Sequence, residues 1–233
     1  TGDWQWGAAV QQQLLPRVSA EVNYQRRWLM NFAATDNRNV APSDYDAFAV
    51  IVPTDSRLPD GGGGTLPGIY NITAAANTRL TDNFVTLAER IGDYTQSTDS
   101  VSLNVTARTR LGLTMQGGFN YARTEADACD IHHALPEYTI PLGGIVATTN
   151  PWCATTVSLF RTTALGSYTV PKADVQIGFT FRSDQGASLS ANYTASPANT
   201  TLGRPFAGAS STMRPAHVPS PPASGFPTAP GAG

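Results

Sequence analysis

Apolar and polar residues alternate along much of the chain. From Val18 to Arg27 the even positions are Val18, Ala20, Val22 and Tyr24, against Ser19, Glu21, Asn23, Gln25 and Arg27. Val101, Leu103, Val105 and Ala107 alternate with Ser102, Asn104, Thr106 and Arg108. Leu113, Met115, Gly117, Phe119 and Tyr121 alternate with Thr114, Gln116, Gly118 and Asn120. Val175, Ile177, Phe179 and Phe181 stand against Asp174, Gln176, Gly178, Thr180 and Arg182, and the opening Trp4, Trp6, Ala8 and Val10 repeats the pattern. A period of two places each set on its own face of a strand. The pattern therefore predicts an all-β chain whose strands have one apolar and one polar side.

Strand length and connection length sharpen this. Most runs cover about 9 to 12 residues, longer than the ~5–6 of soluble sheets and close to the ~9–11 that cross a bilayer when tilted. Leu14–Arg17, Thr109–Leu111 and Val170–Ala173 are tight links, whereas roughly 30–99 and 125–161 are long excursions. Short turns at one end and long loops at the other are the asymmetry of a transmembrane barrel. Aromatic residues near strand ends (Tyr24, Trp28, Phe119, Tyr121, Tyr168, Phe179, Phe181, Tyr193) suit an interfacial girdle. The expected fold is thus antiparallel up-and-down strands of a partial transmembrane β-barrel over residues 1–206, with folded external loops. A soluble β-sandwich with one wet face per sheet alternates in the same way and stays open as an alternative.

Inside the first excursion, Tyr70–Thr73 reads as a short strand. Thr81-Asp82-Asn83 reads as the cap of a short helix over 84–90. Beyond residue 206 the text changes to Pro, Ala, Gly and Ser, which cannot build a packed core and predicts a disordered tail over 207–233. Such text is also what an out-of-frame reading of GC-rich DNA gives, so a frameshift or truncation is expected there.

Composition adds one fact. Charged residues make up 14% of the chain, against ~25% in an average soluble domain. Lys172 is the only lysine among the 15 basic residues, and the net charge is -2. That balance leaves no polybasic surface for nucleic acid.

A family resemblance rests on an ordered series of segments. Gly92-Asp93-Tyr94-Thr95-Gln96 runs into the strand Asp99–Arg108, followed by Gly117–Asn120, Cys129-Asp130-Ile131, Asn150-Pro151-Trp152-Cys153, Gly166–Gln176, Ala191-Asn192-Tyr193 and Leu202-Gly203-Arg204-Pro205. Over roughly residues 3–208 the chain resembles the barrel portion of TonB-dependent receptor-like outer-membrane proteins, the type that carries a carboxypeptidase-regulatory-like domain and is common in Acidobacteria. The resemblance implies outer-membrane lipid around the barrel, a plug, and a TonB-type energy-coupling partner for the intact receptor. Plugged transporters of that class have ~22 strands, and this chain holds six to eight by its pattern, so it reads as a piece of a receptor.

Candidate chemistry is sparse. Cys129 and Cys153 fit a disulfide within one outer loop, worth ~3 kcal/mol by loop entropy. The rival is a metal site of Cys129, His132, His133 and Cys153, whose spacing is irregular. Oxygens at Asp36, Asn37, Asn39, Asp44 and Asp46 lack the ordered loop and terminal Glu of a calcium site, so a hydrated loop is expected. The glycines at 61–64 lack the Lys-Ser/Thr of a phosphate loop. Neither a G-x-S-x-G elbow nor an H-E-x-x-H helix occurs, so no catalytic residue, cofactor or metal is nominated and the expectation is a non-enzyme. Glu21, Arg27, Arg108, Asp174 and Arg182 fall on polar strand faces and are the candidate lumen-facing charges. The expected function is an outer-membrane receptor or transporter segment that captures an external small-molecule or oligosaccharide nutrient through its loops. A secreted or surface β-sandwich binding carbohydrate or protein is the alternative, and a hydrolase a third.

Overall fold

The computed structural model describes residues 1–56, 61–109, 112–138, 152–170, 173, 175–186, 193–207 and 212–213. Its frame is a six-stranded sheet built from β1 (Gly2–Leu15), β2 (Val18–Met30), β7 (Thr95–Arg108), β8 (Leu113–Asp127), β9 (Ala154–Val170) and β10 (Val175–Asp184). They lie side by side in that order, and every neighbouring pair is antiparallel. Strands of 10 to 17 residues exceed the sequence expectation. The extra length comes from segments without apolar alternation. Thr95–Ser100 is wholly polar, yet all of it pairs residue by residue with Ala122–Asp127, and Gln96–Ser100 pairs with Gln25–Leu29. Its Thr residues are at home in an extended backbone. The external excursions accordingly shrink to 31–94 and 128–153.

At the opposite end the connections are tight. Pro16 and Arg17 alone join β1 to β2. Proline presets the first position, and Arg17 takes a positive φ of 71°, the pattern of a type II turn. The β9–β10 link includes Pro171, Lys172 and Asp174, which lie outside the described residues, as does most of the 207–233 tail. Within that tail, β12 (Thr212–Met213) pairs with β11 (Tyr193–Thr194).

The sheet is open. Among the described residues β1 and β10 each have one unpaired edge, so the all-β, antiparallel part of the expectation is met, and the sheet does not close into a barrel.

The 31–94 excursion carries two hairpin sheets. β3 (Ala33–Asn37) pairs with β6 (Asn83–Leu87), and β4 (Tyr45–Ile51) pairs with β5 (Thr65–Ile72), which contains the expected Tyr70–Ile72 strand. The helix expected over 84–90 is absent. Phe84, Val85 and Thr86 are strand formers, and pairing with Ala34–Asp36 takes them. A single 3-10 turn, Ala88–Arg90, follows the strand. Among the described residues α-helix appears in two short pieces, α1 (Ala74–Asn77), capped by the Thr73 hydroxyl, and α2 (Cys129–Ala134). None of the described helices is long and apolar enough to cross a membrane.

The core sits at the loop end. Phe32, Ala34, Ala88, Ile131, Leu135 and Tyr138 form one buried cluster, against which Leu29, Ile91 and Tyr94 pack. Phe48, Val50, Ile69 and Ala195 form a second, with Leu66, Leu202 and Phe206 around it. The large sheet contributes almost nothing to either.

Gly166 is required by its neighbour. A Cβ there would lie 2.6 Å from the Phe179 ring on β10 and 2.8 Å from the Thr114 carbonyl oxygen on β8. Phe179 lies across the glycine, its direct cross-strand partner. Gly166→Ala should push that ring aside and cost about 1–3 kcal/mol, read as a lowered denaturant midpoint with unchanged slope. An unchanged midpoint would show that the ring is not seated there.

Candidate functional site

Register assigns every sheet residue to a face. On one face Val10 opposes Val22, Val22 opposes Leu103, and Leu103 opposes Phe119. One rung higher, toward the loops, Ala8, Tyr24, Val101, Tyr121 and Phe160 line up. Phe179, Phe181 and Ile177 extend the same surface onto β10. Val10 is 71% exposed, Val22 49% and Phe181 55%, values that belong to no protein core.

This apolar face ends at a belt. Trp6, Arg26, Asp99 and Arg123 form one rung near the loops, and Trp4, Trp28, Ser97 and Glu125 form the next. Arg26 stands over the Trp28 ring at 4.9 Å and meets Asp99 at 3.6 Å. Asp99 also accepts a hydrogen bond from the Tyr24 hydroxyl, and Arg123 pairs with Glu125. Trp6 meets Tyr24 edge-on at 5.3 Å.

The other face is mostly amide, hydroxyl and charge, with Leu159 and Leu165 of β9 as its exposed apolar exceptions. The rung Gln11, Glu21, Asn104, Gly118, Thr163, Arg182 runs across all six strands, so Glu21 and Arg182 share one level at well-separated strands. Arg27 and Arg108 lie on this same face, nearer the loops and the turns respectively. Four of the five expected lumen-facing charges are thus together on one wall, and Asp174 lies outside the described residues. Arg27 donates from Nε to Asp3 at 2.7 Å. Arg182 shares Asp184 with Arg161, at 2.5 and 2.6 Å. Asp3, Arg161 and Asp184 escaped the sequence reading: counting outward from the Pro16-Arg17 turn sets Asp3 opposite Met30, and the register shift between Gln13 and Leu15 moves it opposite Leu29, onto the side of Arg27.

At its loop end the polar face is covered: Gln96, Thr124 and Ala126 are buried there. A disulfide joins Cys129 and Cys153 with Cα atoms 4.7 Å apart, pinning the start of α2 to the root of β9. The Ala128 N–H donates to the Cys153 carbonyl alongside it. With both thiols consumed and His132 buried edge-on to Tyr138, the alternative metal set does not form, and no group of three metal-ligating side chains occurs among the described residues. Gly92 lets the first excursion touch α2, since a Cβ there would meet Asp130 at 2.8 Å.

The acidic loop residues are occupied. Arg79 donates to both oxygens of Asp44 at 2.6 and 3.1 Å, holding its carboxyl below the usual carboxylate range with help from the Ala41 N–H. Asn37 Oδ1 accepts from the Asn39 and Asp82 N–H groups. Arg204 donates to Asp46 from Nε and Nη2, to Asn71 Oδ1 at 2.7 Å, and to the carbonyls of Asn71 and Ile72. That one guanidinium locks residues 193–207 onto the β4–β5 hairpin. The calcium geometry is not assembled.

Glu137 is a half-buried carboxyl of the lobe whose pKa is raised. Burial raises its pKa and nearby Asp36 adds to the rise, opposed by hydrogen bonds including the Asn37 N–H and the Tyr45 hydroxyl. Tyr45 is pushed up to about 12, by burial first and by Glu137 second.

Comparison of the chain with protein-family models, curated proteins and solved structures gives no match.

Because Glu137 binds its proton more tightly folded than unfolded, it disfavours the folded state as pH rises from its ordinary value of 4.5 through the raised one. Glu137→Gln keeps an acceptor without the charge. The variant should melt higher than the parent at neutral pH, and the gap should close below pH 4.5. A gap independent of pH would remove the charge as its cause.

Proposed function

We propose that this sheet is a section of the wall of an outer-membrane β-barrel receptor or transporter, and that its loops capture an external nutrient. The observation that carries this reading is the uncovered apolar face with its aromatic and ion-paired border. From Leu113 to Tyr121 the apolar stretch of β8 is about 27 Å long at the usual strand rise. Tilted by ~40° it is roughly 20 Å tall, near the ~25 Å lipid-facing band of such barrels. Arg123 and Glu125 follow immediately, at the depth where water and head groups return.

The remaining features support the same arrangement. Short turns gather at one end and folded loops at the other. The polar face offers amides, hydroxyls and separated charges, a lining that hydrogen-bonds a passing solute at many weak points. Burial of Gln96, Thr124 and Ala126 at the loop end of that face supports a loop lobe that meets an external ligand. The two open edges require further strands, because unpaired backbone is costly in lipid. Those strands, a plug and a TonB-type energy-coupling partner belong to the intact receptor in this reading.

Brominated phospholipids test it through Trp4, Trp6 and Trp28. In vesicles, bromines near the head group should quench tryptophan emission more than bromines deep in the chains. A folded chain that stays in the aqueous phase with unquenched emission would overturn the membrane reading and favour a soluble sheet that binds its partner in water.

A further inference from the structure

At the border between the apolar face and the loop lobe lies a cavity of about 410 Å³. Its walls include Arg26, Trp28, Asn31, Glu89, Asp93 and Tyr94. Three features mark it as more than a gap between elements. The chain enters it through Asn31, whose φ of 56° is left-handed for a residue other than glycine. Its aromatic walls are fixed, because Tyr94 stacks on buried Phe32 at 3.8 Å and Trp28 holds Arg26 above its ring. Its charges are of both signs and incompletely matched. Asp99 reaches Arg26 only at 3.6 Å and the Arg26 Nε–H has no hydrogen-bond partner, while Glu89 and Asp93 are exposed and make no ion pair among the described residues.

We infer that this cavity binds the zwitterionic head group of a lipid, one that carries a phosphate and an ammonium. The guanidinium of Arg26 supplies N–H donors to phosphate oxygens. Glu89 and Asp93 supply the counter-charge for an ammonium, and the faces of Trp28 and Tyr94 add cation–π attraction. A purely anionic head group would meet Arg26 together with two carboxylates, so the balance of charge disfavours it. Position selects a lipid over a free solute. Arg26, Trp28 and Met30 share the face of Tyr24 and Val22, so a ligand held by its polar head here would lay its acyl chains down the apolar surface below. This inference rests on the membrane reading above.

The test uses the whole chain in bicelles doped with phosphatidylethanolamine or with phosphatidylglycerol, and in buffer with soluble glycerophosphoethanolamine. Bound lipid is read by native mass spectrometry and calorimetry. Phosphatidylethanolamine should bind at least about tenfold tighter than phosphatidylglycerol, and the double variant Glu89→Gln/Asp93→Asn should erase that preference. Both carboxylates are exposed, so this variant keeps the fold, and circular dichroism checks that it does. Arg26→Gln should weaken both lipids. Equal binding of the two lipids, or a preference untouched by the double variant, overturns the inference while leaving the membrane reading intact. Soluble glycerophosphoethanolamine binding as tightly as the lipid overturns the lipid assignment in favour of a free zwitterion. A chain that never enters the bicelles overturns the membrane reading itself, and absence of calorimetric heat with the soluble head group then overturns the site as well.

Discussion

Everything in this structure depends on what lies against one face of the large sheet. Val10, Val22, Leu103, Phe119, Tyr121 and Phe181 belong to a single surface that no other described element covers. At about 25 cal/mol for each Å² of apolar surface, leaving that face in water forfeits the main driving force for folding. Among the described residues the conventional cores are the two small clusters in the loop lobe. They leave the large sheet's apolar face uncovered. In the proposed reading a lipid environment is the missing partner, and the belt of Trp, Arg, Asp and Glu at the edge of the face would sit where the dielectric changes.

The lobe answers a different requirement. Long excursions from separate hairpins would be entropically costly to order unless tied together. Three ties do it. The Cys129–Cys153 disulfide fixes the second excursion at its root, the α2 cluster packs that excursion onto the first, and Arg204 fastens residues 193–207 to Asp46, Asn71 and Ile72. The result is a tied loop lobe, within which Glu137 joins the first and second excursions through Asn37. Tied loops lose less entropy when they bind a ligand, which would favour capture in the proposed reading.

Much of the frame was legible because its physics is local. Alternation reports the two faces directly, which is why Glu21, Arg27, Arg108 and Arg182 were placed on one wall before the strands were paired. The disulfide was legible too, since only two cysteines exist. The misses have equally physical origins. Thr95–Ser100 carries no apolar signal, and its strand exists because neighbours on both sides pair with it. Phe84–Thr86 follows a good helix cap, yet the partner strand Ala33–Asn37 decided its conformation. Arg204 and the Arg26 belt depend on register between distant segments. A single sequence does not state such register, although the Leu202-Gly203-Arg204-Pro205 segment had drawn attention through the family resemblance.

Site-directed spin labelling along β7 tests the central claim most directly. Single cysteines at positions 100 through 107, in a background where Cys129 and Cys153 remain oxidised, would be labelled and reconstituted in vesicles. Accessibility to oxygen, which concentrates in lipid, and to a water-soluble nickel chelate should alternate with a period of two and in opposite phase. Labels at Val101, Leu103, Val105 and Ala107 should be oxygen-accessible, and those at Ser102, Asn104 and Thr106 nickel-accessible. Alternation with nickel reaching the apolar set, or no alternation at all, would contradict a lipid-facing sheet.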